Sequence, residues 1–168
     1  MGKVDALIEE LEREALTTRR VLERVPDDRL DWRPHAKART LGQLAQHVAI
    51  VPGAVAELAT ASSPVEAPDF SAPDPGPPSA SALLPMLDDS VRRAKKALGT
   101  LDDAALAETW RMVKGDRELF AVPRGTFVRS TVFNHWYHHR GQLTVYLRAL
   151  GVAVPSVYGP SADDKPFG

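Results

Sequence analysis

The chain contains no cysteine. Disulfides, thiolate metal ligands and a cysteine nucleophile are excluded together, so any thiol chemistry must use a thiol from outside the chain. It also lacks an excess of charge: 21 Lys+Arg against 22 Asp+Glu leave a formal net charge of -1. Nothing in that balance points to a nucleic-acid backbone or an anionic membrane as partner. No uninterrupted apolar run approaches the roughly 20 residues needed to span a bilayer. The stretch MGKVDALIEELEREA is amphipathic and charged, without the apolar segment of a secretory signal, and Ala6 stands where a myristoylation site needs Ser or Thr. A cytoplasmic location is the expectation.

What is present is an ordinary globular composition, 43% hydrophobic and 26% charged over 168 residues, enough for one domain spanning residues 1–168. Val4, Leu7, Ile8, Leu11, Ala15, Thr18, Leu22 and Val25 recur at helical spacing, and predict a first helix from about Lys3 to Arg24. Thr40 is a candidate N-cap for a second helix, running to about Ala61, with Leu41, Leu44, Val48, Val51, Val55 and Leu58 inward. Pro52 lies inside that helix and is expected to kink it.

Ser62 to Ser81 carries Pro64, Pro68, Pro73, Pro75, Pro77 and Pro78, and reads as a long irregular crossover within one domain. A third helix is expected from about Ser81 to Leu98, with Leu84, Leu87, Val91, Ala94 and Leu98 inward and Gly99 as its stop. Leu101 to Ala107 has room for one further turn. TWRMV and ELFAV flank KGDR, the pattern of a short hairpin. The last helix is expected from about Thr126 to Leu150, closing at Gly151 with Pro155 beyond. The fold class that follows is an all-α four-helix bundle, with a Pro-rich crossover between helices two and three and a short hairpin before helix four.

The last helix carries His135, His138 and His139. Positions four apart lie only about 40° apart around a helix. His135 and His139 therefore share the inward stripe of Val128, Val132, Leu143, Tyr146 and Leu150. Two neutral imidazoles on one face suit a divalent ion. His138 is turned about 100° away, as an outer-face or dimer-contact residue would be. A third ligand has to come from elsewhere, and His47 is the candidate, because the wheel turns it inward on helix two. His35 sits in a turn and is expected to be exposed. A single histidine on an apolar face is more often a hydrogen-bonded core residue. Three inward imidazoles without a shared partner leave several donors and acceptors to satisfy, which favours an ion.

Three segments also carry a resemblance. HWYHHRGQLTVYLRALG is similar to the last-helix signature of the DinB/YfiT-like superfamily of metalloenzymes, HxxxHRGQ followed by YLR-x-LG. LDWRPHAKARTLGQLAQHVA resembles that family's W-R-P and S/T-L-G-x-L-x-x-H entry into helix two, and GVAVPSVYGPSADD resembles its ending. The matches run in order from near Leu30 to Asp164. The departures are Pro52 and the length of the crossover; Glu108–Arg124 matches nothing specific.

The resemblance implies a four-helix bundle, commonly a homodimer, with a divalent metal on three histidines. By position these are His47, His135 and His139. Such an ion keeps an open coordination position and lowers the pKa of a bound water or thiol. Relatives include thiol-dependent transferases and a mycothiol-dependent maleylpyruvate isomerase. The resemblance therefore implies transfer of a low-molecular-weight thiol to a small electrophile, in detoxification or stress response. Histidines suit zinc, nickel, copper or iron, with zinc or nickel foremost. A non-catalytic stress-response or metal-binding module on the same scaffold is the alternative, and a metal-free bundle with core histidines the plainest one. Arg140 is read as paired to a carboxylate; Gln142 is left between capping backbone, orienting a ligand and touching substrate. Trp32, Trp136 and Tyr146 are core residues or a pocket mouth. Asp163 and Asp164 are read as tail-turn residues, and Glu9 and Glu12 as solvated-face residues.

Overall fold

A computed structural model describes residues 2–69 and 75–165; Pro73 of the expected crossover lies outside the described residues. The first element, α1 (Lys3–Leu22), buries Val4, Leu11, Glu14, Thr18, Val21 and Leu22. The expected stripe is on the right side but omits Glu14, while Leu7, Ile8 and Ala15 are only partly buried. In α2 (Leu41–Thr60) the cap is as expected. The Gln43 amide donates to Thr40 Oγ1 at 3.1 Å, and the Thr40 amide donates to Gln43 Oε1 at 2.9 Å.

The helix continues through Pro52 without a break, because other groups take over the bonds proline cannot make. Pro52 has no N–H for the Val48 carbonyl one turn back. The indole of Trp136 donates to that carbonyl instead, at 2.8 Å. The next amide, Gly53, donates to Ser90 Oγ at 2.8 Å, and that hydroxyl donates to the Ile50 carbonyl at 3.0 Å. Ser90 belongs to α3 (Leu83–Leu98), which follows a short 3₁₀ turn at Ala80–Ala82. A Cβ at position 53 would lie 2.8 Å from the Ser90 carbonyl oxygen, so glycine is what lets α2 and α3 approach this closely. This contact sets the inner face of α3: Leu83, Leu87, Ser90, Ala94, Ala97 and Leu98 are buried, whereas Leu84 and Val91 are only partly so.

A short helix, α4 (Asp103–Ala107), is capped by Asp102, whose Oδ1 accepts from the Ala105 amide at 2.7 Å. The hairpin then forms as β2 (Thr109–Lys114) and β3 (Arg117–Pro123), antiparallel, with a bulge between Met112 and Val113. Gly115, at the first turn position, has φ 57°, the left-handed region that such tight turns require. The crossover adds β1 (Val65–Glu66), parallel to β2 and pairing Val65 with Met112. The all-α expectation is therefore corrected: a three-stranded sheet is attached to the bundle. The crossover is extended between Pro64 and Pro68, and extended chain has unpaired backbone groups that β2 can accept.

The last rod begins as α5 (Arg124–Phe127), passes through a π-helical segment (Val128–Asn134) and ends as α6 (His135–Ala149). Gly151, φ 73°, closes it; the Val152 amide reaches back to the Leu147 carbonyl at 3.0 Å. α2 packs against α3, α6 and α1, and α1 packs against α3 and α6. Trp110 stacks on Phe127 at 4.0 Å between ring centroids, which seats the hairpin on the rod. Among the described residues no helix is long and apolar enough to cross a membrane.

Candidate metal centre

His47 stands on α2 five residues before Pro52, and His135 opens α6 directly after the π-helical segment. π turns are uncommon and often sit at functional sites. His139 follows one turn later, and all three rings converge. His135 Nε2 lies 2.7 Å from His139 Nε2 and 3.5 Å from His47 Nε2. One ligand atom from each of the three histidines falls within 4.8 Å of the others. Three nitrogens each about 2.0–2.1 Å from a tetrahedral ion would be about 3.3 Å apart. The two shortest separations, 2.7 and 3.5 Å, lie on either side of that value, so the donor set fits a divalent ion.

The charge state suits the same role. Burial is the main cause that pushes the His47 pKa down to about 3, and His139, Arg39 and His135 add to it. Burial likewise lowers His135 and His139, with positive potential from His138 and Arg39 felt at both. Neutral imidazoles keep their lone pairs. On His139 the far nitrogen fixes which one is offered. His139 Nδ1 donates to Gln142 Oε1 at 2.7 Å, leaving Nε2 unprotonated. Gln142 thus contacts a candidate ligand, one of the roles expected for it. Among the described residues His135 Nδ1 is buried without a hydrogen-bond partner; the Thr131 carbonyl nearby acts to raise its pKa without reaching bonding geometry.

A cavity of about 480 Å³ adjoins His47 and His135. α2 contributes Ile50, Ala54, Val55 and Leu58 to its wall, and the hairpin contributes Met112, Leu119 and Phe120. Sequence reasoning missed this wall. The available signal was ELFAV itself: Leu119 and Phe120 are consecutive apolar residues on one strand, so at least one must avoid the core.

This architecture has known counterparts. The model of the DinB family matches residues 1–165. The chain belongs to the DinB family. It is 27% identical over 162 residues to the uncharacterised protein YrdA of Bacillus subtilis (strain 168), covering 96% of this chain and 91% of YrdA. A DinB-like protein from Bacillus cereus ATCC 10987 superposes with a TM-score of 0.69 at 24% identity, covering 92% of this chain and 97% of that one. YfiT from Bacillus subtilis, described as a probable metal-dependent hydrolase with an unusual four-helix bundle topology, gives 0.66 at 18% identity, covering 91% of each chain.

Other residues singled out by the family motifs lie away from the histidines. Arg140, buried, points to α1: its Nη2 lies 2.7 Å from Glu14 Oε2, and its Nη1 donates to Thr18 Oγ1 at 3.1 Å. Tyr158, from the tail, donates to Glu14 Oε2 at 2.9 Å and also contacts Arg140. Arg140 is thus paired to a carboxylate, as expected. Asp163 and Asp164 hold the tail turn, accepting from the Val154 and Ser156 amides at 2.9 and 2.8 Å. Trp136 is fully buried core, and Trp32 meets Tyr146 edge-on at 5.6 Å. His138 and His35 are exposed, as are Glu9 and Glu12 of α1, with Glu12 paired to Lys95.

Proposed function

We propose that this DinB-family chain is a metal-dependent enzyme acting on a small electrophilic molecule, with His47, His135 and His139 as the ligands of a zinc or nickel ion. The observation that carries the reading is the convergence of three neutral imidazoles beside an apolar cavity. Bound there, a divalent ion supplies Lewis-acid activation of a small nucleophile at neutral pH. The chain's own groups do the rest. Gln142 holds the Nδ1 proton of His139, so that Nε2 faces the centre. The apolar wall of the adjoining cavity gives a small organic molecule a surface to pack against. The reaction in this reading is transfer of a low-molecular-weight thiol to the electrophile, and with no cysteine in the chain that thiol comes from solution. A cytoplasmic homodimer belongs to the same reading.

Purified protein is expected to carry near-stoichiometric transition metal, lost in the His135→Ala/His139→Ala variant while the fold persists. Metal-loaded protein should accelerate conjugation of cysteine to chlorodinitrobenzene. Chloride release without thiol consumption would assign hydrolysis instead, the chemistry attributed to YfiT. Metal binding without turnover of any electrophile would leave a binding module. Native protein free of metal, with all three histidines intact, would refute the ligand assignment.

A further inference from the structure

The cavity beside the histidines is more selective than the metal reading requires. His47, His135 and Thr131 are the polar residues in its wall among the described residues. Among the described residues no charged side chain lines it. A charged group moved inside would give up its hydration without gaining a partner, a cost of several kcal/mol. The volume, about 480 Å³, falls within the range of small-molecule sites, roughly 300–1,000 Å³.

At its rim three large apolar side chains remain exposed to solvent: Ile50 at 36%, Leu119 at 39% and Phe120 at 37%. Two of them come from β3, held over the rod by stacking of Trp110 on Phe127 and of Phe120 on Phe127.

We infer that the ligand is a small amphiphile, with an uncharged apolar body in the cavity against Leu119, Phe120 and Leu58 and one electron-rich donor group at the histidines. This deepens the metal reading and rests on it for the donor end only. Leu119 and Phe120 then select the length and shape of the body, and Ala54, exposed on α2 at the cavity wall, sets its depth.

The test is calorimetric binding of straight-chain hydroxamates, from acetyl to octanoyl, to zinc-loaded protein. Each added methylene should tighten binding about four-fold until the cavity is filled. An octanoyl chain ending in a carboxylate should bind at least ten-fold more weakly than octanoyl hydroxamate. Ala54→Trp, which fills the cavity from its exposed side, should flatten the series while zinc content and acetohydroxamate affinity stay unchanged. Phe120→Ala, a second variant at the opposite wall, should reduce the slope.

The same protein without metal is titrated with butanol, hexanol and octanol, where the slope should persist at lower affinity. If zinc does not bind but the alcohols show the slope, the metal reading fails and the apolar compartment stands. If zinc binds and the series is flat, or Ala54→Trp leaves octanoyl binding intact, the proposed ligand class is overturned.

Discussion

Replacing Arg140 by methionine separates a structural arginine from a catalytic one. The side chain directly follows a candidate ligand in sequence, yet it turns to α1, where it is 1% exposed and its partner Glu14 9%. Removing the guanidinium leaves the Glu14 carboxylate buried, with Tyr158 as its remaining side-chain donor. Breaking a buried pair from one side costs about 3–5 kcal/mol. In a domain of this size each kcal/mol moves the midpoint by about 2–4 °C, or roughly 6–20 °C in all. Chemical denaturation of the wild type, Arg140→Met, Glu14→Leu and the double variant measures this as a cycle. The double variant should cost less than either single change, because no unpaired charge remains. Metal content should not change in any of the four. A loss below about 1 kcal/mol in Arg140→Met, additive costs in the double variant, or metal lost at unchanged stability would refute the argument.

The Trp136 hydrogen bond compensates for Pro52, so Trp136→Phe should cost about 1–3 kcal/mol more in the wild type than in a Pro52→Ala background, where an amide again reaches Val48. Equal costs in the two backgrounds, read by urea unfolding, would show that the indole makes no such compensation. Gln142→Leu should weaken zinc affinity by about 10–100-fold with little change in melting temperature, measured by competition with a chelator. Glu10 accepts from Arg129 Nη1 and Nη2, both at 2.7 Å, and from the Tyr137 hydroxyl at 2.7 Å. The hydrogen bonds from Arg129 are the largest cause holding its carboxyl below the ordinary 4.5. Its folded pKa is therefore the lower one, so its contribution is present above the unfolded value and lost as pH falls through the folded value. With Arg129 43% exposed the effect is at most about 1 kcal/mol. The stability gap between wild type and Glu10→Gln should close in acid, and a gap unchanged down to pH about 3 would contradict the sign.

Much of the scaffold was legible in residue order. Helical spacing marked α1, α2, α3 and the last rod, and the Thr40 and Gly151 signals marked ends that fall within a few residues of those observed. Glu14 shows where such reading stops. It lies three positions after Leu11 and four before Thr18, inside the apolar stripe, but its partners Arg140 and Tyr158 are more than a hundred residues away. A lone carboxylate on a helix gives no sign of a distant guanidinium. β1 was missed for a similar reason: two residues carry no periodicity, and their pairing exists only because β2 offers an open edge.

The order of residues determined that His135 and His139 share one helix face, that no thiol exists in the chain, and that Pro52 must leave one carbonyl without its helical donor. These are local consequences of covalent structure and helix geometry. Tertiary packing alone decided that His47 reaches within 3.5 Å of His135, that Trp136 answers the proline, and that the hairpin walls a cavity against α2. Each needs two segments far apart in the chain to meet at ångström separation, and only the close packing of one element on another sets such a distance.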